Sequence, residues 1–401
     1  MAALAVRRMD ATVGSVIAVA IMLWLMLSLR PAVRPAQSMD DIAVDMHCHT
    51  TESDGDRTAE EQLKEAARIG LDALWITDHD MIRDLPRTRE IQKAAKKAGV
   101  GVGFGVEITV EWEKKEHHLL GYFPDSAWSA RQLSPEMVTL QRECAKVKTS
   151  RETRNNNMVS FLNTLLASDA GKPYFISADR HAAFKPLVVN EVAEWAKENA
   201  NLMEPTSLGR PHFRAYLIEV VGIREDLIFG PRAGDGVATL TADGDVFYDE
   251  DREGKTGVEL EALMHSATLA KRDIAFRPLP IIDAIKLINA AGGRAVLAHP
   301  PTLGSKWKTV FVDKVGDLAA AGLWGIEAFS SEIDEENHAI IAGLAQKYNL
   351  VMTAGSDNHG SLKIYAHLGE VKRHGTAAYA ELEYWARHGL RESARLQNEE
   401  L

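Results

Sequence analysis

Five separate stretches of this sequence place side chains able to bind metal just past a short apolar run. They are Asp45-Met46-His47-Cys48-His49, Thr77-Asp78-His79-Asp80, Gly105-Val106-Glu107, Leu297-Ala298-His299-Pro300 and Gly355-Ser356-Asp357-Asn358-His359. One His or Asp after a strand is ordinarily a surface residue, but five repetitions of the same kind of position indicate a shared, polynuclear site. Imidazole and carboxylate donors without thiolate suit Mn, Fe or Zn. Cysteine is no rival donor. Cys48 lies between His47 and His49, where the two-residue period of a strand sends both imidazoles one way and the thiol the other. Cys144, the only other cysteine, is far away in sequence, so neither a disulfide framework nor a cysteine zinc knuckle is indicated.

The elements that must position these groups alternate between strand and helix. Ile42–Met46 is apolar enough for a buried strand, and Thr58-Ala-Glu-Glu61 is a capping box ahead of a helix that stops at Gly70. A strand at Ala73–Thr77, a helix through Ile91–Ala98 that stops at Gly99, and a strand at Val100–Val106 delivering Glu107 follow. The same phrase returns near the end of the chain. There a helix over Ile281–Ala291, a strand Arg294–Ala298 and a strand Ile326–Phe329 precede a helix Glu335–Tyr348 and a strand Leu350–Ala354. Repeated βα units with functional residues at strand C-terminal ends are the logic of a barrel active site.

The middle is less regular. Pro135 to about Leu166 is charged and helix-favouring, with Arg151 and Arg154 on one turn, and reads as a solvated cover helix. Residues 230–257 are rich in Gly and Asp, with a hairpin expected from Val237–Thr241 and Val246–Tyr248. A calcium-loop reading of Asp243, Asp245, Asp249 and Asp251 fails for want of the Gly and Glu that such a loop requires.

The first 38 residues are a different material. Ala11–Leu29 is an uncharged stretch of Val, Ile, Leu and Met, long enough as a helix to span the ~30 Å hydrocarbon core of a bilayer. It reads as a membrane anchor rather than a cleaved signal peptide, because it exceeds the usual apolar region of such peptides and no prompt cleavage site follows. Arg7 and Arg8 before it are matched by Arg30 and Arg34 after it, so orientation is not specified. The four Arg and one Asp of residues 1–38 carry +3, which leaves −14 on residues 39–401 against −11 for the whole chain. Such an acidic body argues against binding long duplex nucleic acid, while small or short anionic substrates remain open to it through divalent metals.

The segments DMHCHT, ESDG, TDHD, GVEI, HHLLGYF, GRPHF, AVLAHP and GSDNH, in this order, resemble the PHP (polymerase and histidinol phosphatase) superfamily. HHLLGYF and GRPHF resemble its branch that hydrolyses nucleoside 3′,5′-bisphosphates and short RNA 5′ ends. The resemblance covers about Asp45 to His367. It implies an α/β fold, a distorted (β/α)7 TIM-like barrel over residues 39–401, here preceded by the transmembrane helix and carrying an insertion at about 222–277. It also implies three divalent ions. His47, His49, Glu107 and Asp357 would hold the first, Glu107 would bridge to a second on His118 and His299, and Asp54, His79 and His359 would hold the third. His117 and His118 point to opposite faces of a strand, and the family pattern favours His118. Asp56 competes with Asp54, and Asp78 and Asp80 read as supporting or capping groups.

The activity so implied is hydrolysis of phosphate esters of nucleotides or short oligonucleotides by a hydroxide bridging two metals. Arg210 and His212 match the family's substrate-contact segment, Arg210 as a phosphate grip and His212 as a hydrogen-bond or proton donor. Two other readings compete: a phosphatase or esterase of the same superfamily acting on a histidinol phosphate-like monoester, and a non-catalytic, membrane-tethered metal-binding module.

Overall fold

The computed structural model describes residues 43–370, except 114, 203–207, 225–238, 241–245, 248–277, 304–306 and 364–365. The expected membrane segment at residues 11–29, its linker, and most of the 222–277 insertion lie outside the described residues. Among those described, no helix is long and apolar enough to cross a membrane.

The chain opens with β1 (Val44–Cys48), α1 (Ala59–Ile69), β2 (Ala73–Ile76) and α2 (Leu85–Ala98). The local signals act as expected. Thr58 and Glu61 close a reciprocal capping box at the start of α1, and Gly70 and Gly99 end α1 and α2 in the left-handed conformation. Two long strands follow, β3 (Gly101–Trp112) and β4 (Lys115–Phe123). Next come α3 (Pro135–Ala167), α4 (Val189–Asn199), α5 (Arg210–Tyr216) and the short antiparallel pair β5 (Thr239–Leu240) and β6 (Val246–Phe247) at the expected hairpin. The chain then returns to the sheet through β7 (Leu279–Pro280), α6 (Ile281–Ala290), β8 (Arg294–Leu297), α7 (Trp307–Ala320), β9 (Gly325–Phe329), α8 (Glu335–Tyr348) and β10 (Val351–Ala354).

The sheet runs in the order β1-β2-β3-β4-β8-β9-β10, with β7 paired to β3 off this path. Its ends approach each other through backbone bonds, His49 N to Asn358 O and Asp357 N to His47 O, both 2.9 Å. The result is a nearly closed, barrel-like sheet.

One departure from a regular parallel barrel matters for function. β3 does not stop at Val106 but continues through Glu107 to Trp112, because β4 pairs with it antiparallel along its length. β4 is antiparallel to β8 as well. A strand reversed in this way brings its first residues to the end of the barrel where the parallel strands finish, and that carries His118 to the site.

Alternation along the strands sorts side chains between two apolar regions. An interior cluster contains Val44, Met46, Trp75, Leu120, Tyr122 and Val296, while an outer core under the helices contains Leu74, Ile76, Val106, Ile108, Leu119 and Ile326. Gly103 faces the interior because a Cβ there would lie 2.1 Å from the Trp75 indole nitrogen. In β1 the register shifts between Asp45 and Cys48. This irregularity resets the alternation, so that Cys48 enters the outer core while His47 and His49 turn to the site.

The long helix α3 corrects the expectation of a solvated cover. Met137, Leu140 and Cys144 of its first half pack in the outer core, and Met158, Leu162 and Leu166 of its second half pack with α4 and α5 in a third apolar cluster. Between the two apolar stretches Arg151 and Arg154 are buried on the same face. A 33-residue helix is about 50 Å long, enough to cross the site and join both clusters.

Candidate metal centre

Glu107 is the hub. Its Oε2 lies 3.1 Å from both His49 Nε2 and His79 Nδ1 and 3.3 Å from His47 Nε2, while its Oε1 lies 2.9 Å from both His118 Nδ1 and His299 Nε2. Asp357 Oδ1 faces His47 Nε2 at 3.4 Å and His49 Nε2 at 3.2 Å. Asp54 Oδ1 faces His359 Nε2 at 3.3 Å, with His79 Nε2 at 3.7 Å from its other oxygen. Three sets of donor atoms converge within 4.8 Å: His47, His49, Glu107 and Asp357; His49, Asp54, His79 and His359; and His79, Glu107 and His118. His299 Nε2 joins the last set at 3.4 Å from His118 Nδ1. All nine residues named from the sequence as metal-binding thus meet at one end of the barrel.

The backbone that delivers them is unusual. His299 and Asp357 have φ of 23° and 55°, and Asp80, beside His79, has φ of 48°. Left-handed conformations at residues other than glycine are strained, and they persist here where surrounding bonds over-determine them. Asp80 accepts from Thr109 N at 2.7 Å and from Arg151 Nε at 2.9 Å. Asp78 accepts from Thr50 N and Thr50 Oγ1, both at 2.7 Å, and also from Ser53 Oγ and Arg83, which fastens the loop that carries Asp54. Both acids therefore hold the ligand loops rather than joining the cluster. Asp56 likewise turns away, accepting from Ser361 N at 2.8 Å. His117 stays out of the donor sets and packs edge-on against Trp112 at the border of the cleft.

The cluster is electrostatically incomplete without a cation. Buried Asp54 Oδ1, His79 Nδ1, Glu107 Oε2 and Asp357 Oδ1 have no hydrogen-bond partner, although ring nitrogens and carboxylate oxygens approach to little more than 3 Å. Lone pairs directed at one another in a dry pocket are costly, and a divalent ion among them removes the cost. Proton affinities carry the same strain. Burial would raise Glu107, yet His118, His79 and His47 hold it well below the usual carboxylate range. Burial opposes protonation of His299, but its contact with Glu107 pushes it up to about 9. His79 is driven well below its ordinary value, chiefly by burial. The donor chemistry and the orphaned atoms fit divalent metals.

A cationic wall stands beside the cluster. Arg151 and Arg154 of α3, Arg210 and Arg214 of α5, and Lys363 line a cleft shared with Asp54, His79, Glu107, His118 and His299. Arg210 Nη2 meets Glu116 Oε1 at 2.8 Å, and Arg154 Nη1 approaches the same oxygen at 3.7 Å. Burial, with Arg210 and Arg151 nearby, brings Arg154 down to about 9. The arginines of α3 were masked in sequence by the polar residues around them. The spacing Met137, Leu140, Cys144, Val147, Arg151, Arg154, Met158, Leu162 was the available signal, since it puts both arginines on the buried stripe.

His212 is held by the backbone of its own turn, with its Nε2 buried and without a hydrogen-bond partner. Its Nδ1 accepts from Gly209 N at 3.1 Å, so its proton sits on Nε2, and burial holds its pKa down to about 4. It is fully buried and is not among the residues lining the cleft. A Cβ on Gly209 would lie 2.1 Å from Asp54 Oδ2, so the turn that His212 braces is pressed directly against a cluster carboxylate.

A nearly closed barrel with nine His, Asp and Glu side chains converging at one end and a cationic cleft beside them defines a metal-dependent hydrolase. Residues 45–185 match the family model described as PHP domain. It is 28% identical over 327 residues to phosphoribosyl 1,2-cyclic phosphate 1,2-diphosphodiesterase of Eggerthella lenta, covering 81% of this chain and 97% of that protein. It is 25% identical over 317 residues to a 5′-3′ exoribonuclease of Haemophilus influenzae, covering 79% of this chain and 89% of that protein. The fold is shared with a solved amidohydrolase from Chromobacterium violaceum, at a TM-score of 0.57 and 21% identity, over 85% of this chain and 96% of that one.

Proposed function

We propose that this protein is a PHP-type metal-dependent phosphoesterase acting on phosphate esters of nucleotides or short oligonucleotides. The observation that carries the reading is the convergence of orphaned carboxylate and imidazole donors next to a buried arginine wall. In the fuller form of the proposal the centre takes three ions, Mn, Fe or Zn. His47, His49, Glu107 and Asp357 hold one; Glu107, His118 and His299 a second; and Asp54, His79 and His359 a third, with His49 close enough to the third set to support it. When bound, divalent ions supply Lewis-acid stabilisation of charge on a phosphoryl group and make water a nucleophile at neutral pH.

The chain's own residues do the rest. Arg210, with Arg151 and Arg154 behind it, offers planar guanidinium donors to phosphoryl oxygens, and Glu116 holds the Arg210 fork in place. His212 stays neutral near pH 7 and acts through Gly209 and Asp54, so it positions the site rather than donating a proton as an imidazolium. The names of the two relatives, a phosphoribosyl 1,2-cyclic phosphate 1,2-diphosphodiesterase and a 5′-3′ exoribonuclease, favour phosphodiesters of ribose phosphates or of RNA.

The test is phosphate release from adenosine 3′,5′-bisphosphate and nucleotide release from a short 5′-phosphorylated RNA by the Mn²⁺-loaded chain, with Asp357→Asn as control. Turnover that vanishes in the variant supports the reading. Metal bound without turnover on either compound sends the search to phosphate monoesters and carboxylic esters. We further propose that residues 11–29 anchor the enzyme to a membrane, on the length and hydropathy of that stretch. The full chain is then expected in the carbonate-resistant membrane pellet, and a chain lacking residues 1–38 in the supernatant; equal partition of both would remove the anchor.

A further inference from the structure

We infer that Glu327 is a positioning residue that selects the metal-binding tautomer of His47 and holds the backbone of His299, an inference that rests on the ligand roles proposed above. Glu327 is the middle residue of β9, flanked by Ile326 and Ala328 of the outer core, so strand alternation turns it toward the barrel interior. It is fully buried. Both of its oxygens are engaged: Oε1 lies 3.1 Å from His47 Nδ1, and Oε2 accepts from the His299 backbone N–H at 2.8 Å.

The donor and acceptor roles follow from the chemistry of the partners. A backbone N–H only donates, so Oε2 is an acceptor, and an ionised carboxylate also accepts at Oε1. His47 Nδ1 must then carry a proton, so that in the neutral ring the Nε2 lone pair faces Glu107 Oε2 at 3.3 Å and Asp357 Oδ1 at 3.4 Å. That tautomer can share a cation with both carboxylates. The opposite one would place a proton in the centre of the donor set.

The second contact has a separate consequence. His299 has φ of 23°, a conformation that side-chain-bearing residues seldom adopt, and its N–H is held in that state by Glu327. One carboxylate thus ties a donor from β1 to a donor that follows β8, two segments that β9 and β10 separate in the sheet. The surrounding fold leaves room for this arrangement. A Cβ on Gly355 would lie 2.2 Å from His47 Cβ and 2.9 Å from Glu327 Oε1. Bonds of this kind beneath a ligating histidine fix ring orientation and commonly change metal affinity by about 10–100-fold.

Glu327→Gln separates positioning from packing, because glutamine has the same shape but only one acceptor oxygen. It cannot accept from both His47 Nδ1 and His299 N, and an amide N–H facing His47 Nδ1 would force the proton onto Nε2. The expected result is at least about tenfold weaker Zn²⁺ binding in competition with a chelator, while the metal-free variant still unfolds in one cooperative urea transition. Zinc affinity within twofold of wild type overturns the inference, as does weakened binding accompanied by an equal loss of fold in the metal-free state. A second arm needs no altered Glu327. In the zinc-loaded wild-type chain labelled with ¹⁵N-histidine, the signal lost in His47→Asn should report a protonated Nδ1 and a metal-bound Nε2, and the reverse assignment overturns the inference even if Glu327→Gln does not fold. A wild-type chain that takes up no zinc overturns the metal-centre reading itself, an outcome distinct from zinc bound equally by wild type and variant.

Discussion

Glu107→Gln is expected to abolish phosphoester hydrolysis, with a loss on the order of 10³-fold or more, and to lower bound metal per chain. The physical reason is the number of groups that depend on one side chain. Glu107 lies within 3.3 Å of His47, His49, His79, His118 and His299, and no other carboxylate in the cluster comes that close to as many histidines. Glutamine keeps the volume, so the barrel should fold, but it replaces one anionic oxygen by an N–H group directed at imidazole nitrogens. Metal analysis and steady-state kinetics on the same preparation check this. Full metal content with wild-type turnover would remove Glu107 from the centre of the site, and full metal content without turnover would assign it a role in the chemistry rather than in binding.

Stripping the metals is expected to have the largest effect on stability, and to make that stability depend on pH in a particular direction. An ion held at about 1,000 times its dissociation constant adds about 4 kcal/mol for each site. Without ions the buried carboxylates are balanced by Lys363, which pairs with Asp357, and by protonated histidines, His299 among them, whose pKa rises to about 9 against an ordinary value near 6.5. A group raised on folding contributes stability that is present in full below its unfolded pKa and is lost as pH climbs through the folded one. The chelated protein should therefore become less stable between about pH 6.5 and about 9, whereas the loaded protein should not follow that slope. Metal uptake at pH 7 should release protons, because ligating imidazoles must be neutral. Urea titrations at three pH values with and without chelator, and a calorimetric titration in buffers of different ionisation enthalpy, measure both. A chelated protein of unchanged stability would mean that the cluster does not retain metal.

Much of this was legible in the chain itself. The capping box at Thr58, the glycine stops at Gly70 and Gly99, and apolar runs ending in His, Asp or Glu are local features, and local chemistry decides them. The donor types, imidazole with carboxylate and no thiolate, also stand in the sequence and bound the class of metal before any contact is known. So does the distinction between His117 and His118, once a strand is assumed, because adjacent residues must face opposite ways.

Other features depended on the register of strands and the path of one helix. Glu107 and His118 lie within paired strands rather than beyond their ends, because β4 runs against its neighbours, and nothing local announces that reversal. The shift in β1 that turns His47 inward exists only in relation to β2. Glu327 was a lone acid between Ile326 and Ala328 until the sheet order brought β9 beside the segments carrying His47 and His299. Arg151 and Arg154 looked solvated because their neighbours are polar, and they are buried because α3 must span two apolar clusters and crosses the site between them. Residue types and short-range signals set what the chain could bind. Which groups meet was decided by contacts between residues from about ten to several hundred positions apart, where one step of register exchanges the face that holds the metal donors for the face that packs the core.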